Sequence, residues 1–177
     1  MALSILDNLV DKADGGQKSS SWYRKAVGTI TDRISARRLM AQGKLIGRPS
    51  VGRLNLFVYD PKYKQTLPYY DIFPLVLPLE PIKNGFAGIN FHYLPPNQRF
   101  TLLTQFQRYA IHGAREISAK NRFDVSYNRI KKLPLTKNAI KKYLWAHTRS
   151  QYLRIDYNEA ALAVYLPIAQ FKKGRPY

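Results

Sequence analysis

The apolar positions of this chain change period several times, and each change marks a structural boundary. Near the start, Leu3, Ile5, Leu6, Leu9 and Val10 recur at near-helical spacing with Asp7, Asp11 and Lys12 between them, which predicts a short amphipathic helix. Residues 14–21 (DGGQKSSS) read as a linker. Ser21 is an N-cap residue type, and a second helix is expected from Trp22 to about Met40. Its apolar face would carry Trp22, Ala26, Val27, Ile30 and Ile34, and Gly28 weakens its middle. Arg24, Lys25, Arg33, Arg37 and Arg38 fall largely off that face. Apolar positions are sparse here, so residues 1–48 read as a helical arm. Its apolar side needs cover, either from its own domain or from another subunit, and the arm is expected to become ordered only in an assembly.

From Arg53 the period becomes alternating. Leu54, Leu56 and Val58 would face one side of a strand, and Asn55, Phe57 and Tyr59 the other. Asp60-Pro61 starts a turn. A second strand is expected over Tyr69–Leu79, at an edge or bulged, because Pro74 and Pro78 cannot donate ladder hydrogen bonds. Lys83-Asn84-Gly85 forms a turn, and Phe86–Leu94 a third strand. Past Pro95-Pro96 the spacing of Phe100, Leu103, Phe106 and Ala110 predicts a helix ending at Gly113. A polar connection over 115–124, a short helix near 125–132 and another helix after Thr136 should follow. The last of these would turn Ile140, Tyr143, Leu144 and His147 inward. Tyr152–Asp156 reads as a strand, and Asn158–Tyr165 as a helix or strand ended by Pro167. The fold class is therefore α+β. A small, strongly bent antiparallel sheet, SH3-like in kind, is wrapped by helices within a core domain of residues 49–177, preceded by the N-terminal helical arm.

Composition narrows the chemistry. Hydrophobic residues make up 45% of the chain, enough for a core. Twenty-nine Lys and Arg against 11 Asp and Glu give a formal net charge of +18, and such an excess needs an acidic partner, most often nucleic acid. The alternative is a subunit seated on acidic protein surfaces. There is no cysteine, which removes disulfides and thiolate chemistry and fits assembly in a cytoplasm. The N-terminal segment does not read as a signal peptide, and no apolar run is long enough to span a bilayer, so no membrane is expected.

Catalytic material is thin. His92, His112 and His147 match no zinc spacing. Asp60, Asp71 and Glu80 could be imagined as metal ligands of a nuclease, but the aspartates have ready turn or strand-end roles. No glycine loop sits between a strand and a helix to cradle phosphate. No cofactor, no metal and no enzymatic activity are expected. The basic residues speak more clearly. From Lys120 onward, 13 Lys and Arg face only Asp124, Asp156 and Glu159. Lys131, Lys132, Lys137, Lys141 and Lys142 cluster there, with Lys137 and Lys141 expected one helical turn apart, and Arg149 follows. Lysines of this kind suit phosphate without base choice, although each alone would equally suit a solvated face. Tyr59, Tyr63, Tyr69 and Tyr70 lie near Lys62 and Lys64, a mixture that fits base stacking beside charge, a protein interface, or in part the core.

The strings FVYDPKYKQTLPYYDIFPLVLPLE, GFAGINFHYLP, IKKYLWAHTRSQYLRI and AALAVYLPIAQFKK resemble the DNA end protectors of contractile-tailed bacteriophages, over roughly residues 50–173. The resemblance implies a virion protein, added late in head completion, that binds the ends of packaged double-stranded DNA and shields them from host exonuclease. It implies other virion proteins as neighbours. A neck, tail or baseplate-hub adaptor whose basic surface meets acidic subunits is the competing expectation.

Overall fold

The alternation over residues 54–59 becomes a sheet that buries both of its faces. The structure, a computed structural model, describes residues 5–13, 18–30, 34–49, 52–106 and 130–177, with 107–113 described as backbone. Among these residues are five α-helices: α1 (Ile5–Lys12), α2 (Ser20–Gly28), α3 (Ala36–Gln42), α4 (Pro96–Gly113) and α5 (Ala160–Ala163). The strands are β1 (Leu45–Ile46), β2 (Leu54–Leu56), β3 (Tyr70–Asp71), β4 (Leu75–Ile82), β5 (Gly85–Asn90), β6 (Ile140–Leu144), β7 (Tyr152–Ile155) and β8 (Phe171–Lys172). Six of them form one sheet in the order β1-β7-β2-β4-β5-β6, every neighbouring pair antiparallel, while β3 and β8 pair separately. The class is α+β. The sheet is open, with β1 and β6 as its edges.

Leu54 and Leu56 join Leu75, Leu77 and Ile89 in the main core beneath the helices. Phe57 and Tyr59 point the other way, into a second cluster with Val76, Phe86, Tyr143 and Tyr152. In that cluster the Phe57 ring centre lies 4.9 Å from Tyr152 and 5.3 Å from Tyr143, at tilted or edge-on angles that aromatic quadrupoles favour. Period-two patterning and burial thus agree, with each strand face filled by its own residue set.

The prolines of β4 are tolerated by geometry rather than by an edge position. β4 is central, but β2 pairs only with its Leu75 and Val76, and the register against β5 shifts between Pro78 and Glu80. The register places Pro78 opposite Gly88 with the bulge just beyond it, and the Pro78 carbonyl accepts the Gly52 amide at 3.3 Å. Lys83 and Asn84 alone make the β4–β5 turn, with Asn84 at φ 63° in the left-handed region that asparagine tolerates. β5 ends at Asn90, earlier than the expected Leu94. The Asn90 side chain accepts the His92 amide at 3.0 Å and starts a 3-10 turn over Phe91–Tyr93.

The largest departure from expectation lies after Thr136. Lys137 follows a short 3-10 turn, Pro134–Thr136, and residues 140–144 form strand β6 instead of a helix. The sequence IKKYL alternates as well as it cycles, and pairing with β5 from Gly85↔Leu144 to Ile89↔Ile140 decides the matter. Gly85 makes this pairing possible, because a Cβ there would sit 1.9 Å from the Tyr143 carbonyl oxygen. The expected helix near 125–132 falls mostly on residues outside those described.

The N-terminal region also differs in detail. Ser19, not Ser21, caps α2 by accepting the Trp22 amide. The single long helix is two, since α2 ends at Gly28 and α3 restarts after an N-cap at Ser35. Leu6, Leu9, Tyr23, Ala26, Val27 and Leu39 are buried in the main core of the same chain. Of the two covers expected for the arm, its own domain supplies this one. Lys44 and Asp156 then pair at 2.5 Å, and β1 hydrogen-bonds to β7.

Candidate nucleic-acid interface

β6 is an outer strand, and the loop over residues 61–69 stands beside it. Between them lies a groove of about 460 Å³ that reaches the solvent. Lys62, Lys141 and Lys142 border it, together with Tyr63, Tyr69 and Tyr93. Nearly eighty residues of sequence separate Lys62 from Lys141, and the β5–β6 pairing is what unites them. The Lys141 ammonium sits 4.2 Å from the centre of the Tyr93 ring, and the Lys62 ammonium 5.2 Å from that of Tyr63, both within cation–π range. Tyr63 is 63% exposed. Tyr69 and Tyr93 are half-buried, their ring centres 5.9 Å apart and each braced against Phe171.

The electrostatics favour an anion. None of Lys62, Lys141 and Lys142 has an ion-pair partner among the described residues. Partial burial strips water from the Lys141 ammonium and lowers its pKa, so an incoming anion would relieve a real cost. The one acid lining the groove is Asp71, and both of its oxygens are engaged. Oδ1 accepts the Phe73 amide at 3.0 Å and the Gln170 amide at 3.3 Å; Oδ2 accepts Asn90 Nδ2 at 3.0 Å and faces His92 Nδ1 at 2.8 Å. Burial pushes the Tyr93 hydroxyl well above its ordinary pKa, so its ring is neutral.

The other predicted cations are dispersed. Arg24 and Lys25 are exposed on α2, with the Arg24 guanidinium 5.8 Å from the Tyr165 ring centre, and Arg37 and Arg38 are exposed on α3. Arg33 lies outside the described residues. Lys131 and Lys132 are exposed in the turn before Pro134, and Lys137 is exposed after it. Lys137 and Lys141 therefore do not share a helix face, because no helix is there. Lys64 pairs with Asp60 at 2.7 Å, and Arg149 approaches the same carboxylate at 3.6 Å. The Lys64 hydrogen bond chiefly, and the nearby Arg149, hold the Asp60 carboxyl below its usual range. These two cations are already engaged within the chain.

Two buried groups were not read as partners in the sequence. Asp71 and His92 form a pair sealed from solvent, consistent with the structural role expected of that histidine. Arg99 is 3% exposed and donates to the carbonyls of Leu94 and Val164 and to the Tyr177 hydroxyl. It locks the start of α4 to the C-terminal segment, and no local pattern announces it. Among the described residues no helix is long and apolar enough to cross a membrane, and no cluster of three or more His, Asp or Glu could hold a metal.

A comparison with protein families matches residues 4–177 to the family described as phage T4 terminal DNA protecting protein. No curated protein and no solved structure matches the chain.

Proposed function

We propose that this chain, which belongs to the phage T4 terminal DNA protecting protein family, is a non-enzymatic virion protein that holds the ends of packaged double-stranded DNA during head completion. Family membership supports a virion protein concerned with DNA termini. The observation that carries the site is the groove between the 61–69 loop and β6, where three lysines without carboxylate partners among the described residues meet tyrosine rings, that of Tyr63 exposed. Lysines so placed would neutralise backbone phosphates without reading sequence, and binding would weaken steeply with salt. Arg24, Lys25, Arg37 and Arg38 on the arm, with Lys131, Lys132 and Lys137, lie away from the groove and would contribute longer-range attraction. Residues 1–48, whose apolar side is packed on the core of residues 49–177, would meet other virion proteins with their exposed side, and assembly would take place in the host cytoplasm.

The test is protection. Linear duplex incubated with the protein should resist a processive exonuclease, and the combined variant Lys62→Gln, Lys141→Gln, Lys142→Gln should lose that protection while remaining folded. Digestion at the same rate with and without the wild-type protein would refute the reading and favour an adaptor seated on acidic subunits.

A further inference from the structure

A protein that holds DNA ends must tell an end from the interior of a duplex, and phosphate contacts alone cannot do so. The interior presents charge on its backbone but hides the flat faces of its bases. Only an end, and best of all an unpaired strand at an end, presents phosphate and a base face together. The groove displays the complement of both. Tyr63 offers an exposed ring, and Tyr69 and Tyr93 offer rings fixed against Phe171, while Lys62, Lys141 and Lys142 stand at its border. Its volume of about 460 Å³ falls in the range of small-ligand pockets, far too small for a duplex. The committed oxygens of Asp71 leave no free carboxylate in the groove lining to recruit a cation.

From these residues we infer that the groove takes unpaired terminal nucleotides, a short single-stranded overhang whose bases stack on Tyr63 and Tyr69 and whose phosphates meet the three lysines. The inference rests on the end-holding function proposed above and supplies its discrimination. An acidic protein segment would satisfy the lysines but leave the exposed Tyr63 face without a planar partner. Base–aromatic stacking is worth roughly 5- to 150-fold in affinity per base, which favours an end over any one interior site of a duplex.

The experiment compares one duplex sequence in three forms: a closed circle, a blunt linear fragment, and a linear fragment with a short overhang carrying 2-aminopurine at its terminal unpaired position. The overhang form should bind about tenfold more tightly than the blunt form, with the 2-aminopurine fluorescence quenched on binding. Tyr63→Ala, at an exposed position, should abolish both effects, and Tyr63→Phe should restore them. If blunt and overhang ends bind alike and both outcompete the circle, the inference fails and the end-holding reading stands. If all three forms bind alike, both fail. Release of the overhang DNA by a poly-glutamate peptide at concentrations as low as those of unlabelled overhang DNA would assign the groove to acidic protein and overturn the inference.

Discussion

His92 Nδ1 stands 2.8 Å from Asp71 Oδ2, with both side chains sealed from solvent. This contact ties the 3-10 turn after β5 to β3, and so fixes the floor of the groove. Burial pushes the Asp71 carboxyl up, but attraction to the His92 imidazole and hydrogen bonds from His92, Asn90 and Phe73 outweigh it and hold the group below its usual range. The folded-state pKa thus lies below the unfolded one. Its stabilising contribution is complete above the unfolded carboxyl pKa of about 3.9 and is lost as pH falls through the lower folded value. Asp71→Asn should cost about 1.5–3 kcal/mol at neutral pH, and its deficit should shrink below about pH 4. Urea unfolding of both proteins across that interval measures this, and a deficit that stayed constant would contradict it.

The aromatic cluster on the second sheet face should carry a large share of stability. Phe57 is fully buried at its centre, and its ring contacts those of Tyr59, Phe86, Tyr143 and Tyr152. Phe57→Ala is expected to cost about 3–5 kcal/mol, a fall of roughly 6–20 °C in Tm for a chain of this size. Calorimetry checks it; a loss under about 1 kcal/mol would mean that the cluster is not packed as described.

Gly85 should be intolerant of any side chain. The clash of its Cβ with the Tyr143 carbonyl is with backbone, which cannot rotate away. Gly85→Ala should pry β6 from β5, lower stability by several kcal/mol and release Lys141 and Lys142 from the groove, so that DNA binding falls with it. Amide exchange in β6 would report the separation directly.

Lys141 is expected to show opposite signs in stability and in binding. Its ammonium is partly desolvated with no carboxylate partner among the described residues, so Lys141→Met should leave Tm unchanged or raise it. The same change should weaken DNA binding and reduce the slope of log affinity against log salt by about 1. Lys64→Gln, which removes a cation already paired with Asp60, should change binding less than Lys142→Gln does. Equal losses from both would argue that bulk charge, not the groove, governs affinity.

How much of this was legible in the sequence varies by residue. Alternation at Leu54–Tyr59 and helical spacing at Phe100–Phe106 survive in the structure because local pattern and burial agree there. Residues 140–144 misled because a five-residue run of mixed apolar and basic residues fits either period, and only the distant β5 edge selects the strand. The arm helix broke at Gly28, the position that already weakened it. At the site, Lys62, Lys141 and Lys142 were visible as basic residues, and Tyr63 and Tyr69 as neighbours of Lys62. What joins them is a β pairing that spans more than fifty residues, which spacing along the chain does not encode. Tyr93 escaped notice as a site residue because its part depends on Lys141 lying over it.

Recognition of a DNA terminus by this protein is open to a direct test. The most direct measurement is competition for a labelled linear duplex by unlabelled linear and covalently closed circular DNA of identical sequence, at fixed salt. Linear competitor should displace the probe in proportion to its number of ends, while closed circles should displace it only weakly. Equal displacement per base pair by the two forms would contradict the account.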